Sequence, residues 1–131
     1  MLYPNQFTVD EAWIVFTLND EPIHTIQDGD FNFLALMDAA SCYILGSSTV
    51  PASQGEPTRE QAAKLLHTGR ALKNSIPEKL FIPEAMAGRY LIAEAELLGI
   101  DVLRVTDKDL LPIIGEARQV FRARFGRPGA M

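Results

Sequence analysis

The sequence predicts an α/β domain built on one mixed five-stranded sheet, and three observations point there. The chain has 131 residues, 47% hydrophobic and 22% charged, which suits one globular domain with its own core. Before residue 51 it holds three short runs of apolar, β-branched and aromatic residues separated by turn signals. After residue 57, helical periodicity alternates with short buried strands. Disorder, coiled coil and collagen-like repeats are excluded for the bulk of the chain by the same composition. The expected organisation is a single domain over residues 1–131, with its core over about 11–125 and frayed tails at 1–10 and 126–131.

Residues 12–18 (AWIVFTL) read as the first strand, broken by Asn19-Asp20-Glu21-Pro22. Asp28-Gly29-Asp30 is a turn signal, and residues 31–37 (FNFLALM) form the second strand. Asp38-Ala39-Ala40-Ser41 makes a tight turn that the Asp38 side chain can cap. Residues 42–50 (CYILGSSTV) are the third strand, antiparallel to the second, with Gly46 marking a bulge or a close backbone approach.

A loop over residues 51–57 (PASQGEP) precedes a helix. Thr58 is its N-cap, and Gln61 at N3 completes a capping box. Ala62, Leu65, Leu66, Gly69, Leu72 and Ile76 give it one apolar face. Residues 79–82 (KLFI) are a short buried strand. A second helix is expected over residues 84–98, with Pro83 before it and Gly99 as its C′ stop. Residues 100–106 (IDVLRVT) are the fifth strand. Asp107 or Asp109 caps a third helix running to about Phe125, with Pro112 tolerated in its first turn. Leu110, Ile113, Ile114, Ala117, Val120, Phe121 and Phe125 form its stripe. Three local strands pair antiparallel, and the later alternation requires right-handed crossovers and parallel strands.

Charge is distributed unevenly. The net charge is −5, yet residues 1–58 carry eight carboxylates and no lysine or arginine. All twelve bases follow, against nine acids. Phosphate binding depends on Lys and Arg, so only the C-terminal part could supply it. Arg118, Arg122, Arg124 and Arg127 form the basic cluster there, a solvated face or a contact for an acidic protein partner. No aromatic interleaving supports a single-strand platform.

Other chemistry is sparse. Cys42 is the only cysteine, which excludes an intrachain disulfide, and its apolar neighbours make it a small core residue. His24 and His67 lack ligands at zinc spacing. A Ser41, His67 and Asp38 set lacks a nucleophile elbow. No glycine-rich nucleotide signature occurs. Asp38 with Lys108 could imitate a receiver domain, but receivers do not begin with a hairpin. No signal-peptide pattern and no apolar stretch of membrane-spanning length is present, so the expected location is cytoplasmic, without membrane contact.

Two segments carry a resemblance. Residues 29–46 (GDFNFLALMDAASCYILG) run an apolar strand into Asp, then a turn with Ser, then an apolar pair and Gly. Glu84-Ala85-Met86-Ala87-Gly88-Arg89-Tyr90 leads to a helix ending in Leu97-Leu98-Gly99-Ile100. Both resemble the ribonuclease H-like cores of integrases and transposases, and the element order over about 12–125 is similar to theirs. A small bacterial domain of unknown function has a similar hairpin, helix and Leu-Gly-Ile spacing. The family resemblance implies three acids, on the first strand, after the fourth strand and on a late helix, which hold two divalent cations. Carboxylates suit hard Mg²⁺, and two ions activate the water and stabilise the leaving oxygen.

Transferred by position, the candidates for catalysis and metal binding are Asp20, Glu84 and Glu116. The match is incomplete. The first strand contains no acid, and Asp20 lies beyond it. Ile82-Pro83 replaces the His or Ser expected before the second acid. The ordinary roles are a turn residue for Asp20, a helix N-terminal acid for Glu84 and an exposed helix residue for Glu116. The sequence therefore favours a ribonuclease H-like binding or interaction module without a cofactor, with nucleic acid disfavoured as a partner. The alternatives are a Mg²⁺-dependent nuclease or polynucleotidyl transferase, and a structural homodimer.

Overall fold

The computed structural model describes residues 1–19, 21–27 and 29–125. Its strands are β1 (Ala12–Thr17), β2 (Phe31–Asp38), β3 (Ile44–Pro51), β4 (Lys79–Pro83) and β5 (Asp101–Val105), and its helices are α1 (Arg59–Lys73), α2 (Arg89–Leu97) and α3 (Asp107–Phe125). The sheet order is β3-β2-β1-β4-β5. β1 pairs antiparallel with β2 and parallel with β4, while β5 pairs parallel with β4. The mixed sheet expected from the sequence is therefore present, with β1 at its centre.

Alternation along β1 divides the core. Trp13 and Val15 point to the face covered by α1 and α2, where they join Leu36, Leu66, Leu80, Ile82 and Leu91. Ala12, Ile14 and Phe16 point to the other face and meet Met37, Phe81, Leu110, Ile113 and Ile114. That second face is covered by α3 and by the N-terminal segment. Residues 1–10, whose position at a terminus predicts fraying, are tied down at several points. The Leu2 amide donates to the Asp109 carbonyl at 2.8 Å, and Leu2 and Phe7 are partly buried against the core. Phe7 also meets Phe81 edge-on at 5.6 Å.

Local signals account for most element ends. The Thr58 hydroxyl accepts from the Gln61 amide at 3.1 Å, and Gln61 Oε1 accepts from the Thr58 amide at 2.9 Å, which completes the capping box. At the end of α2, Gly99 has φ +79°, and its N–H donates to Glu96 while Ile100 N–H donates to Ala95. This pair of bonds is a Schellman stop. The ladder between β2 and β3 shifts register at Leu36/Met37, opposite Gly46 and Ile44. A Cβ on Gly46 would lie 3.3 Å from Thr68 Cγ2, so Gly46 marks both the bulge and the close approach.

Other ends differ from the sequence reading. β3 begins at Ile44, because Cys42 adopts φ +60° in the turn and cannot join the strand. α2 begins at Arg89, so Glu84 is not a helix N-terminal acid. The Glu84 amide instead donates to the Val105 carbonyl at 2.7 Å. Arg104 Nη2 donates to the carbonyls of Glu84, at 2.9 Å, and Met86. These bonds tie the segment between β4 and α2 to β5. The Thr106 hydroxyl, not an aspartate, accepts the Asp109 amide at the start of α3. Leu72 is 55% exposed and Val120 52%, although both belong to predicted apolar stripes. Each lies about 70° around its helix from the stripe's centre, at the margin where the sheet no longer reaches. Ile76, past the end of α1, is exposed as well.

Candidate functional site

The carboxyl ends of β1 and β4 lie side by side, because the two strands run parallel as neighbours. A cleft of about 410 Å³ opens there. Thr17, Asn19 and Asn32 form one wall, Pro83, Ala85, Met86 and Ala87 another, and Asp107 and Arg118 of α3 a third.

Each wall has a local cause. Asn19 is nearly buried and fully engaged. Its Oδ1 accepts from the Phe33 amide at 2.8 Å, and its Nδ2 donates to the Glu21 carbonyl at 2.7 Å and to Asn32 Oδ1 at 2.8 Å. These bonds hold the loop leaving β1 against the start of β2. The second wall is the segment after β4 that Arg104 grips through its carbonyls. In the third wall Arg118 turns inward. Its side chain is only 15% exposed, its Nε donates to the Thr17 carbonyl at 2.9 Å, and Nη1 lies 3.6 Å from Asp107 Oδ2. The guanidinium carbon stands 5.9 Å from the centre of the Phe16 ring.

Of the three sequence-predicted acids, the two that are described stand outside this cleft. Asp20 falls outside the described residues. Glu84 is exposed in the turn after β4 and Glu116 is exposed on α3, and neither lines the cleft. Among the described residues, no three His, Cys, Asp or Glu side chains are grouped to hold a metal ion. The cleft also fits a two-cation centre poorly. The first strand ends in Thr17, and the one carboxylate among the described residues that line the cleft, Asp107, faces Arg118. Paired with that guanidinium, Asp107 offers a divalent cation no unopposed negative charge.

The basic cluster is also divided. Arg118 faces the cleft, Arg122 is exposed, Arg124 lines a different groove, and Arg127 lies outside the described residues. Helix phase could have flagged Arg118, which flanks the α3 stripe on the side opposite Val120. No sequence signal marks Thr17, Asn19 or Asn32.

Asp38 has a structural role. Its fully buried carboxylate accepts from the Asp10 amide at 2.8 Å, the Ser41 amide at 2.8 Å and the Ser41 hydroxyl at 2.7 Å. Cys42, at the end of that turn, has its thiol pKa raised by burial first, then by the negative charges of Glu116 and Asp38. His67 is exposed, and exposed His24 lies 2.8 Å from Asp30.

No family model matches this sequence, and no curated protein matches it. Solved structures do. The chain is similar to a component of the simian T-cell lymphotropic virus intasome, determined by cryoEM in complex with PP2A regulatory subunit B56 gamma. The TM-score is 0.61 at 10% identity, covering 88% of this chain and 39% of that one. It is also similar to the catalytic core domain of BIV integrase, with a TM-score of 0.55 at 11% identity, covering 89% of this chain and 70% of that one. The chain thus spans well under half of the intasome chain it matches. The likeness establishes the fold as ribonuclease H-like α/β, as the element order predicted. No helix among the described residues is long and apolar enough to cross a membrane.

Proposed function

We propose that this chain is a non-catalytic ribonuclease H-like module that acts by binding a protein partner. The observation that carries this reading is Arg118, fixed to the Thr17 carbonyl at the end of the central strand. Its neighbour Asp107 neutralises it, so this pair adds no net negative charge to attract Mg²⁺. The charge distribution supports the same reading. The three strands of the hairpin region belong to a segment with eight carboxylates and no base, which repels a phosphate backbone. The integrase-like neighbours raise the rival reading of a metal-dependent polynucleotide enzyme, which requires both cation binding and nucleic-acid binding.

Calorimetric titration with Mg²⁺ and Mn²⁺, a nuclease assay and a low-salt mobility shift on DNA and RNA test the choice. The expected result is no saturable cation binding, no cleavage and no retarded band. Specific Mn²⁺ binding with cleavage lost in Glu84→Ala would overturn the proposal.

A further inference from the structure

The other margin of α3 borders an apolar groove of about 470 Å³. From α3 it is lined by Ile113, Glu116, Ala117, Val120, Phe121 and Arg124, and across from them lie Leu18, Cys42 and Ile44. Ile113 and Ala117 pack on the sheet core and Phe121 meets Phe33 edge-on at 5.3 Å, so the uncovered part of this face is Val120, with Glu116 and Arg124 about one turn to either side. Val120 is 52% exposed and Ile44 38%, so large apolar surface is left in water beside the groove.

The charges on this face have a symmetry. Glu116 and Arg124 stand four residues before and four after Val120, about 12 Å apart along the axis. Neither makes an ion pair with a described residue. A second α3 laid antiparallel about a two-fold axis at Val120 sets residue 120+k opposite residue 120−k. Glu116 of each copy then faces Arg124 of the other, and Val120 meets Val120 at the centre. A parallel arrangement would set like charges together. An isologous interface requires this self-complementarity.

We infer that the groove is an interface for a second copy of this chain, in which α3 pairs antiparallel with its equivalent about Val120 and two reciprocal Glu116–Arg124 ion pairs set the register. The inference rests on the reading of the chain as a binding module, and the two fail separately. Metal-dependent cleavage removes that reading and leaves the dimer, whereas a monomeric chain removes the dimer and leaves that reading.

Sedimentation equilibrium of the full chain is the test, with circular dichroism melts to establish that each variant folds. The wild type is expected to dimerise. Glu116→Arg and Arg124→Glu each set like charges opposite one another and should weaken the dimer roughly tenfold or more. The double reversal E116R/R124E restores opposite charges and should return the dissociation constant to near the wild-type value. Three results overturn the inference: a wild type still monomeric at about 1 mM, a dimer indifferent to both single reversals, or a double variant no better than the single ones.

Discussion

The two faces of the sheet are covered unequally. One face lies under α1 and α2, and its cluster runs without interruption from Leu45 through Trp13 and Leu66 to Leu91 and Ile100. The other lies under α3, with the N-terminal segment filling beside it through Leu2 and Phe7. One helix cannot span a five-stranded sheet, since helices pack about 10 Å apart and strands about 4.8 Å apart. Two margins therefore stay open along α3. The margin toward the ends of β1 and β4 is polar and holds Arg118, and the margin toward the β2–β3 turn is apolar and holds Val120. The difference teaches that one helix over five strands leaves margins of opposite polarity uncovered, one polar and one apolar.

The largest contrast comes from deleting apolar volume on each face. Leu66→Ala on the closed face should lower unfolding free energy by about 3 kcal/mol, since Leu66 is fully buried. Val120→Ser on the open face should change it by no more than about 0.5 kcal/mol in dilute solution. Urea denaturation of both variants measures the difference, and equal costs would show that the two faces are packed alike.

A smaller effect, with a change of sign, is expected from one substitution made in two helices. Gly69→Ala in α1 places a Cβ 2.7 Å from Leu36 Cδ2 and 3.1 Å from the Trp13 ring. The overpacking should outweigh the helix gain and destabilise by about 1–2 kcal/mol. Gly115→Ala in α3 meets nothing within 4 Å and should stabilise by about 0.5–1 kcal/mol. Melting curves of the two variants should therefore move in opposite directions.

The smallest effect is chemical. With its pKa raised by burial and by Glu116 and Asp38, the Cys42 thiol forms less thiolate at a given pH than a free cysteine. Iodoacetamide should therefore alkylate it more slowly in the folded protein than in urea at pH 8. Glu116→Gln removes one of the raising charges and should speed the folded-state reaction. Equal rates in all three samples would mean that the groove imposes no electrostatic bias on the thiol.

What could be read in advance was local. Thr58 with Gln61, Gly99 after α2, and Asp38 with Ser41 are contacts between residues no more than a few positions apart, and each appears where the spacing placed it. The start of α2 was not legible, because the segment before it is tied down by Arg104 and by the Val105 carbonyl, eighteen or more positions away. The cleft was not legible for the same reason, since Arg118 reaches Thr17 across 101 positions. The three acids chosen from the resemblance share a topological neighbourhood in the family, but Glu116 faces the groove and Glu84 lies in an exposed turn.

By itself the sequence determined the element order and the local turns and caps, because helical period and capping are set by covalent geometry and near neighbours. It also determined where the charge lies, since that is a count along the chain. Only the tertiary structure decided which margin residues were covered. Leu72 and Val120 carry an apolar pattern and stay exposed, whereas Arg118 carries a charge and is turned inward. Burial at the edge of a helix depends on how far the sheet beneath it extends, and that distance is fixed by strand order, which no local pattern encodes.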